Sequence, residues 1–328
     1  MTKTADANIG RWHTYRNIVL SVLSYWVCSI GLVFLNKYLL CGAGAKVDVP
    51  LFITWCQCLV TVGICSVLSW GTRFGRYSFP KLDLNLEKCK AILPLSVVFV
   101  AMISFNNVCL KYVGVSFYYI GRSLTTVFNV ILTYMILGER SFPQTVSTCV
   151  IIVFGFILGV DQEDVNGSIS VFGVICGVMA SLAVALNAII TKKVLSKVDN
   201  CIWKMTWYNN VNALVLFLPL NLINGDFIQL ISTWPELNFW KMLFISGLFG
   251  FTMNYVTGWQ IQATSPLTHN ISATAKSAAQ TVMAVFMYGE IKTLLWWCSN
   301  LVVLTGSALY TWIRKSEMDS KSAKLKTN

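Results

Sequence analysis

The chain has 328 residues, of which 55% are hydrophobic and only 12% are charged. An average soluble domain carries roughly 25% charged residues, so a soluble fold of this length could not hide so much apolar surface. Nearly all of the chain lies in long apolar segments, which leaves no room for a catalytic domain outside a membrane and argues against an enzyme.

Ten segments are long and apolar enough to cross a bilayer, whose hydrocarbon core of about 30 Å requires about 20 residues of helix. In chain order they cover residues 17–40, 49–70, 91–112, 115–138, 143–160, 169–191, 203–223, 239–261, 267–289 and 294–313. The sequence therefore predicts an all-α integral membrane protein with ten transmembrane helices. The 11 cysteines show no paired metal spacing, so we expect small apolar core residues, no metal and no cofactor.

Lysine and arginine are unevenly distributed over the segments between these helices. If both termini face the cytosol, the cytosolic segments hold eighteen Lys and Arg residues and the opposite loops hold four. Cytosolic loops of membrane proteins carry an excess of basic residues, so this distribution predicts that both termini are cytosolic. The net charge of +11 then reflects topology, and we expect no nucleic-acid partner.

The second half of the chain repeats the first at a shift of 151 residues. The residues that coincide are Asn36 with Asn187, Ser123 with Thr274, Gly138-Glu139 with Gly289-Glu290, and Gly155 with Gly306. Because each half holds five helices, the second half must enter the membrane inverted, which is a recurring plan of secondary transporters. We therefore predict a substrate site between two inverted repeats, with the chain divided into an N-tail 1–16, repeats 17–160 and 161–313, and a C-tail 314–328.

Three basic residues lie within the predicted spans, where a charge costs from about 3 kcal/mol upward and usually lines a cavity. Lys276 lies near the middle of its span, whereas Arg122 is nearer a helix end and has an equal structural alternative. Lys37 is close enough to the end of its span to extend to the interface. The cations Lys276 and Arg122 on repeat-related helices predict an anionic solute such as a phosphate or pyrophosphate. No intramembrane acidic residue stands out for ion coupling, which favours exchange of one anion for another.

Paired amides form a second polar feature, in Trp207-Tyr208-Asn209-Asn210. A buried amide needs a partner, which could be a neighbouring helix or a ligand. The more specific interpretation is recognition of a purine base, because an amide offers both a donor and an acceptor to the base edge. For the similar pair in Phe105-Asn106-Asn107 we favour helix packing.

These features together resemble the nucleotide sugar transporters of the drug/metabolite transporter superfamily, and the resemblance covers essentially the whole chain. It is also carried by three stretches, which cover residues 105–115, 121–130 and 264–270. The resemblance implies a ten-helix antiporter that imports GDP-fucose into the Golgi lumen, exports GMP and works by alternating access.

Relatives in that family that carry GDP-mannose have a Phe-Tyr-Asn-Asn motif associated with guanine and a Gly-Ala-Leu-Asn-Lys motif associated with sugar and phosphate. Residues 207–210 match the first motif with Trp in place of Phe, which implies guanine contact by Asn209 and Asn210. Residues 273–277 lie where the second motif would be, but Lys276 takes its Asn position and Ser277 its Lys position, which favours GDP-fucose over GDP-mannose. The expected substrate-binding residues are Asn36, Arg122, Tyr208, Asn209, Asn210, His269, Ser272, Ala273, Thr274, Lys276 and Ser277.

Several alternatives remain open from the sequence. An antiporter of the same fold could carry GDP-mannose, a UDP-sugar or a sugar phosphate, and a non-transporting membrane scaffold is a further alternative. The endoplasmic reticulum is the alternative to the Golgi membrane. We expect membrane lipid as a partner, leave a homodimer open, and expect no glycosylation at the sequon Asn166-Gly167-Ser168, which lies close to the membrane.

Overall fold

The computed structural model describes residues 2–41, 49–72, 75, 79–113, 115–138, 142–165, 170–263, 266–289 and 291–327. These residues contain helices and no strand. The α-helices are α1 (Thr2–Cys41), α2 (Pro50–Gly71), α3 (Leu86–Tyr112), α4 (Val115–Arg122), α5 (Leu124–Leu137), α6 (Pro143–Val165), α7 (Val171–Val194), α8 (Ile202–Asn224), α9 (Asp226–Ser232), α10 (Leu237–Ala263), α11 (Pro266–Tyr288) and α12 (Leu294–Thr327), and a 3-10 helix (Leu195–Val198) follows α7. Glu139 and Glu290 of the repeat register and the sequon 166–168 lie outside the described residues.

Six of the described helices are long and apolar enough to cross a membrane. They lie within α1, α2, α3, α6, α7 and α12, and α8 together with α9, bent by 66°, would form a seventh. The chain is therefore an all-helical, multi-pass membrane protein. The other predicted spans are also helical, in α4 with α5, α10 and α11, so all ten segments coincide with helices, while the count of ten crossings stays a prediction.

The predicted span 115–138 is two helices with a turn at Ser123 between them. The Ser123 hydroxyl donates to the Ile120 carbonyl at 2.6 Å, and the Ser123 N–H bonds the same carbonyl at 3.2 Å. Serine competes with helical hydrogen bonds in this way, which explains the interruption that hydropathy alone did not predict. The turn leaves Arg122 as the last residue of α4.

The segment between the seventh and eighth predicted spans, residues 224–238, contains the short helix α9. Gly225 has φ of 78°, the left-handed conformation that glycine adopts without strain, and it turns the chain from α8 into α9. Asp226 is fully buried, and its carboxylate accepts from the N–H groups of Leu51 and Phe52 at 3.0 Å each. Because these N–H groups have no partner within α2, the carboxylate caps that helix from a distant part of the chain.

The helices α6 and α12 pack closely at two glycines that coincide under the 151-residue shift. A Cβ atom on Gly155 would lie 2.7 Å from Val303 Cγ2, and one on Gly306 would lie 2.8 Å from Ile152 Cγ1. The 151-residue shift relates the two contacts, because it takes Gly155 to Gly306 and Ile152 to Val303. Only glycine permits this approach, so both sides of the helix pair depend on the same residue type.

Side-chain hydrogen bonds join α6 and α12 at two separate places along the pair. At one end, Gln162 Oε1 accepts from the Thr293 hydroxyl at 2.9 Å. At the other end, the buried Glu317 accepts from the Thr145 hydroxyl at 2.5 Å and from the Phe142 N–H at 2.8 Å. A side chain late in each helix therefore binds the beginning of the other, and for α12 this side chain precedes the last ten residues. The predicted C-tail 314–328 accordingly continues α12 as helix through Thr327, and the predicted N-tail 1–16 belongs to α1 from Thr2.

Candidate functional site

Two polar cavities lie inside the helix bundle and share one lining residue, Arg122. The first cavity has a volume of about 480 Å³ and lies among α1, α2, α3, α7, α8 and α10, with part of α4. The second has a volume of about 540 Å³ and lies among α4, α5, α7, α11 and α12. Arg122 is the last residue of α4, just before the turn at Ser123, and its side chain lines both cavities.

The first cavity is rich in amides. Eight of its 25 lining residues carry a side-chain amide, and they are Asn36, Gln57, Asn106, Asn107, Asn187, Asn209, Asn210 and Asn254. Apolar residues of α3, among them Phe99 and Met102, complete the wall. Amides combined with flat apolar surface suit a heteroaromatic base, which has polar edges and apolar faces.

Most of these amides already have protein partners. Asn36 Oδ1 accepts from Gln57 Nε2 at 2.9 Å, and the same nitrogen also donates to the Ser246 hydroxyl at 3.0 Å. Asn210 Nδ2 donates to the Thr206 carbonyl one turn earlier in α8, at 2.8 Å. Asn36 and Asn210, which are both predicted site residues, line this cavity, and part of each amide is engaged within the protein.

Two asparagines that line the first cavity have a buried amide oxygen without a hydrogen-bond partner. The two oxygens are Asn209 Oδ1 on α8 and Asn187 Oδ1 on α7. A buried acceptor without a donor costs about 1–3 kcal/mol, so such atoms are uncommon and are often completed by a ligand. Asn209 was predicted from the sequence, whereas Asn187 was noted only as the repeat counterpart of Asn36.

Tyr208 and Trp207 point away from both cavities. The Tyr208 hydroxyl donates to the Asp83 carbonyl at 2.5 Å, and Trp207 Nε1 donates to the Ser66 hydroxyl at 3.1 Å. Both rings are buried and join α8 to the extended segment before α3 and to α2. Of the four residues 207–210, therefore, the two amides line the cavity and the two aromatic residues pack behind them.

Arg122 is held by a short chain of hydrogen bonds. Its guanidinium donates to the Tyr118 hydroxyl at 3.2 Å and lies 5.9 Å from the centre of that ring. The Tyr118 hydroxyl in turn donates to Asn106 Oδ1 at 2.8 Å, and Asn106 Nδ2 donates to the Met102 carbonyl at 2.8 Å. Asn106 thus supports the cation through Tyr118. Asn107 donates to the Thr54 hydroxyl and joins α3 to α2, which is the helix packing that the sequence favoured for this pair.

The second cavity is rich in hydroxyls. Ten of its 19 lining residues carry one, and they are Tyr119, Ser123, Thr125, Thr126, Thr274, Ser277, Thr281, Ser307, Tyr310 and Thr311. The predicted site residues His269, Ala273, Thr274 and Ser277 all line this cavity. Hydroxyl groups both donate and accept, so this wall is suited to a ligand that also carries hydroxyls or phosphate oxygens.

Lys276 lies outside the lining of both cavities and faces α1. Its ammonium group donates to the Ser29 hydroxyl and lies 5.0 Å from the centre of the Tyr25 ring. The helices α11 and α4 pack together, and the positive charges of Lys276 and Arg122 interact electrostatically. Two cations that repel each other in an apolar bundle are stabilised by a shared anion.

Ser272 and His269 connect α11 to α1 and α10. The Ser272 hydroxyl accepts from Trp26 Nε1 at 2.9 Å and from Gln260 Nε2 at 3.0 Å. Gln260 Oε1 lies 2.8 Å from His269 Nδ1, and the imidazole packs edge-on against Tyr25 at 4.8 Å between ring centres. Ser272 is therefore engaged within the protein, one helical turn from Lys276.

Lys37 is the third cation within the predicted spans, and its partners are backbone carbonyls. It donates to Leu110 O at 2.6 Å and Val113 O at 3.3 Å, where α3 ends. The last carbonyls of a helix have no partner within it and attract positive charge. This role could not be seen in the sequence, because it depends on α1 and α3 lying side by side.

The described chain is a bundle of membrane helices around polar cavities that share a cation, which is the architecture of a solute transporter. Residues 16–311 match the Triose-phosphate Transporter family, and the chain belongs to this family. It is therefore a membrane transporter and not an enzyme. Among the described residues, no group of His, Cys, Asp and Glu side chains could hold a metal ion.

Several curated relatives are similar over most of the chain. A Caenorhabditis elegans protein named GDP-fucose transporter is 60% identical over 96% of this chain and 87% of its own length. The mouse GDP-fucose transporter 1 is 55% identical over 92% of this chain and 84% of its own. A Drosophila melanogaster protein named GDP-fucose transporter, Golgi, is 46% identical over 97% and 96%. One solved crystal structure superimposes with a TM-score of 0.55 at 13% identity, covering 93% of this chain and 98% of that one, and shares the fold.

Proposed function

We propose that the protein exchanges GDP-fucose for GMP across the Golgi membrane by alternating access. The observation that carries this proposal is the position of Arg122 between an amide-rich cavity and a hydroxyl-rich cavity. A nucleotide sugar has the same order of parts, because its diphosphate lies between a base and a sugar. The names of the worm, mouse and fly relatives support GDP-fucose as the substrate, and the name of the fly relative supports the Golgi over the endoplasmic reticulum.

In this proposal the guanine base enters the first cavity. Asn209 and its neighbour Asn210 form hydrogen bonds to the edge of the base, and the Asn209 amide oxygen has no protein partner. Asn36 lines the same cavity. The buried Tyr208 acts indirectly by fixing α8 against the segment before α3. Selection of the base therefore rests on amides whose helix is held in place by the aromatic residues beside them.

The diphosphate binds at Arg122 and Lys276. Arg122 borders both cavities, and Lys276 moves from its contact with Ser29 toward the anion when the nucleotide arrives. A lysine ammonium on a flexible stem can make such a movement, and the gain in charge pairing offsets the loss of one hydroxyl contact. Release of the anion returns Lys276 to α1.

The sugar occupies the second cavity. Thr274 and Ser277 present hydroxyls beside Ala273 and His269, and Ser272 fixes this part of α11 against α1 and α10. GMP has no sugar beyond its phosphate and would leave this cavity empty on its way out. An exchanger can therefore accept both nucleotides at the base and phosphate positions.

The architecture that we propose has ten spans in two inverted repeats, residues 17–160 and 161–313, with both termini cytosolic. Helix pairs related by the repeats support it. The pair α1 and α10 corresponds to α7 and α3, and the pair α2 and α10 corresponds to α8 and α3. The Gly155 and Gly306 contacts follow the same relation. Apolar side chains on the outer face of α5 and α6 are exposed, where we expect membrane lipid.

Reconstitution in liposomes tests the proposal directly. The purified protein is placed in liposomes loaded with GMP, and uptake of labelled GDP-fucose is compared with uptake of GDP-mannose and a UDP-sugar. We expect GMP-dependent uptake of GDP-fucose that falls about tenfold or more in Lys276→Ala and Asn209→Ala, since each removes a buried polar contact to the substrate.

Two matched controls lie at the start of α10. Lys241→Ala and Asn238→Ala remove the same residue types from exposed positions, and both should transport at the wild-type rate. Uptake of another nucleotide sugar or of a sugar phosphate would keep the mechanism and change the substrate. Equal uptake into empty and GMP-loaded liposomes would contradict exchange.

A further inference from the structure

The second cavity is lined by two amide side chains that have no role so far, Asn129 on α5 and Asn300 on α12. Neither amide makes a hydrogen bond to another described residue. Asn300 is only 6% exposed, yet neither it nor Asn129 has a polar atom that is both fully buried and without a partner. The amide atoms of both residues therefore keep accessible surface, and the space that both residues border is the second cavity.

The spacing of the lining residues shows that both amides lie on helix faces turned toward this cavity. On α12, Asn300 is followed by Val303 and Leu304, which line the same cavity three and four residues later. On α5, Asn129 follows the lining residue Thr125 by four residues. Residues three or four apart lie on one face of an α-helix. The two amides therefore belong to the wall of the cavity and not to the outer surface of the bundle.

Several hydroxyls in the same wall have their hydrogen atoms already engaged. The hydroxyls of Ser277 and Thr281 on α11 each donate to the carbonyl one turn earlier in the helix, at 3.0 Å. The Thr311 hydroxyl on α12 makes the same kind of bond at 2.9 Å. These groups offer a ligand their oxygen lone pairs. The amides of Asn129 and Asn300 add N–H donors to the wall, together with further acceptors.

A sugar ring carries the groups that this combination of side chains can bind. Each ring hydroxyl is both a donor and an acceptor, so it can accept from an amide and donate to a serine or threonine oxygen. In the proposed arrangement the base and its ribose lie before the diphosphate at Arg122, in the first cavity. The part of the nucleotide sugar that extends past Arg122 into the second cavity is the sugar, which GDP and GMP lack.

We propose that Asn300, together with Asn129, binds the hydroxyls of the fucose ring and so adds affinity for the nucleotide sugar but not for the free nucleotide. The inference rests on the proposed function, since it requires that the diphosphate binds at Arg122. Asn300 contributes the more because it is the more buried of the two. A buried amide without a partner is costly, and a ligand that completes its hydrogen bonds recovers that cost.

The test is competition by GDP-fucose and by GDP against uptake of labelled GMP into GMP-loaded liposomes. GDP has the same base and diphosphate but no sugar. In Asn300→Ala we expect GDP-fucose to compete about three- to tenfold more weakly, which is the size of one net hydrogen bond, while GDP competes as in the wild type. Asn129→Ala should shift GDP-fucose in the same direction and leave GDP unchanged. Unchanged competition by GDP also shows that each variant is folded.

Asn209→Ala and Asn238→Ala are the matched controls. Asn209 is assigned to the base, which both competitors share, so its loss should weaken GDP-fucose and GDP by the same factor. Asn238 is exposed at the start of α10, and its loss should change neither. Equal weakening of GDP-fucose and GDP in Asn300→Ala, or no weakening of GDP-fucose, would overturn the inference while leaving exchange intact. Failure of GDP-fucose to compete in the wild type would instead contradict the proposed function.

Discussion

At the scale of single residues, three cations within the predicted spans have three different partners. Lys37 bonds the carbonyls at the end of α3 and Lys276 bonds a serine of α1. Arg122 bonds the Tyr118 hydroxyl and borders both cavities. A charge is tolerated in an apolar bundle only where something compensates it, and the compensating group tells structural and binding roles apart. By that criterion Lys37 is structural, and Arg122 has the position of a ligand-binding cation.

Tyr118 provides a test of how Arg122 is positioned. Its hydroxyl accepts from the guanidinium and donates to Asn106, so Tyr118→Phe removes both bonds while keeping the ring. We expect the KM for GDP-fucose to rise about three- to tenfold, because a hydrogen bond to a charged group contributes about 1.5–3 kcal/mol and part of it is recovered by the ligand. Transport kinetics in liposomes measure this.

The control for that experiment is Tyr134→Phe on the exposed outer face of α5. It makes the same chemical change away from both cavities, so its KM should equal that of the wild type. If Tyr118→Phe lowered only the amount of folded protein and left the KM unchanged, the tyrosine would have a packing role and no influence on the cation.

Much of the candidate site was predictable at this scale, because a cation or an amide pair is conspicuous in an apolar segment. Arg122 and Asn209 were predicted from this signal and line the cavities. Thr274 and Ser277, which the family resemblance pointed to, line the second cavity. The partners could not be predicted, since Tyr118 with Asn106, and Lys276 with Ser29, are joined only by tertiary contacts between helices. Asn187 was marked by the repeat, but a single buried amide is common and gave no sign that its oxygen lacks a donor.

At the scale of elements, α12 binds the start of α6 through Glu317, which follows the apolar part of α12. Burial raises the pKa of this carboxyl, but hydrogen bonds from Thr145, from the Phe142 N–H and from Arg314 outweigh it. The pKa of Glu317 therefore lies below its ordinary value of 4.5. The folded state favours the carboxylate, so the stabilisation is present above pH 4.5 and is lost as the pH falls through the lower, folded-state pKa.

Glu317→Gln should consequently lower the free energy of unfolding by about 1–3 kcal/mol between pH 5 and 7, since altering a buried carboxylate that is hydrogen-bonded to a charged partner costs that much. As the pH falls below 4.5, the difference from the wild type should shrink, because the wild-type carboxyl then becomes neutral as well. Unfolding of the detergent-solubilised protein, followed across this pH range, measures both effects.

The exposed Glu236 supplies the control, since Glu236→Gln makes the same change at a side chain without a comparable network. Its stability should follow the wild type at every pH. A difference between Glu317→Gln and the wild type that stayed constant down to pH 3 would mean that the carboxylate charge has no part in joining α12 to α6.

The elements were predictable wherever apolar length was sufficient evidence, and every one of the ten predicted segments is helical. Three features escaped prediction for separate physical reasons. The turn at Ser123 depends on a side-chain hydrogen bond, α9 is only seven residues long, and the helical ends of α1 and α12 are too polar to be noticed by hydropathy.

At the scale of the whole molecule, alternating access requires two halves that can exchange roles, and the described helices contain related pairs of contacts that would allow this. The contact of Gly155 with Val303 and that of Gly306 with Ile152 lie on one helix pair, and in the proposed architecture α6 and α12 would be a place where the two halves stay in contact. The Lys276–Ser29 contact would break and re-form in each cycle, because it joins the two halves directly.

The orientation of the chain in the membrane decides from which side the cavities are filled, and it gives the last prediction. Under the proposed ten-span topology, eighteen basic residues against four predict that both termini and the segment 195–201 are cytosolic and that residues 225–236 are lumenal. In sealed Golgi vesicles, protease should remove tags from the two termini and from segment 195–201 but spare a tag inserted at 233–236. Permeabilised vesicles, in which all four tags must be cut, control for access. Opposite behaviour of the two termini would require an odd number of crossings, as with seven spans, and would contradict two inverted five-helix repeats.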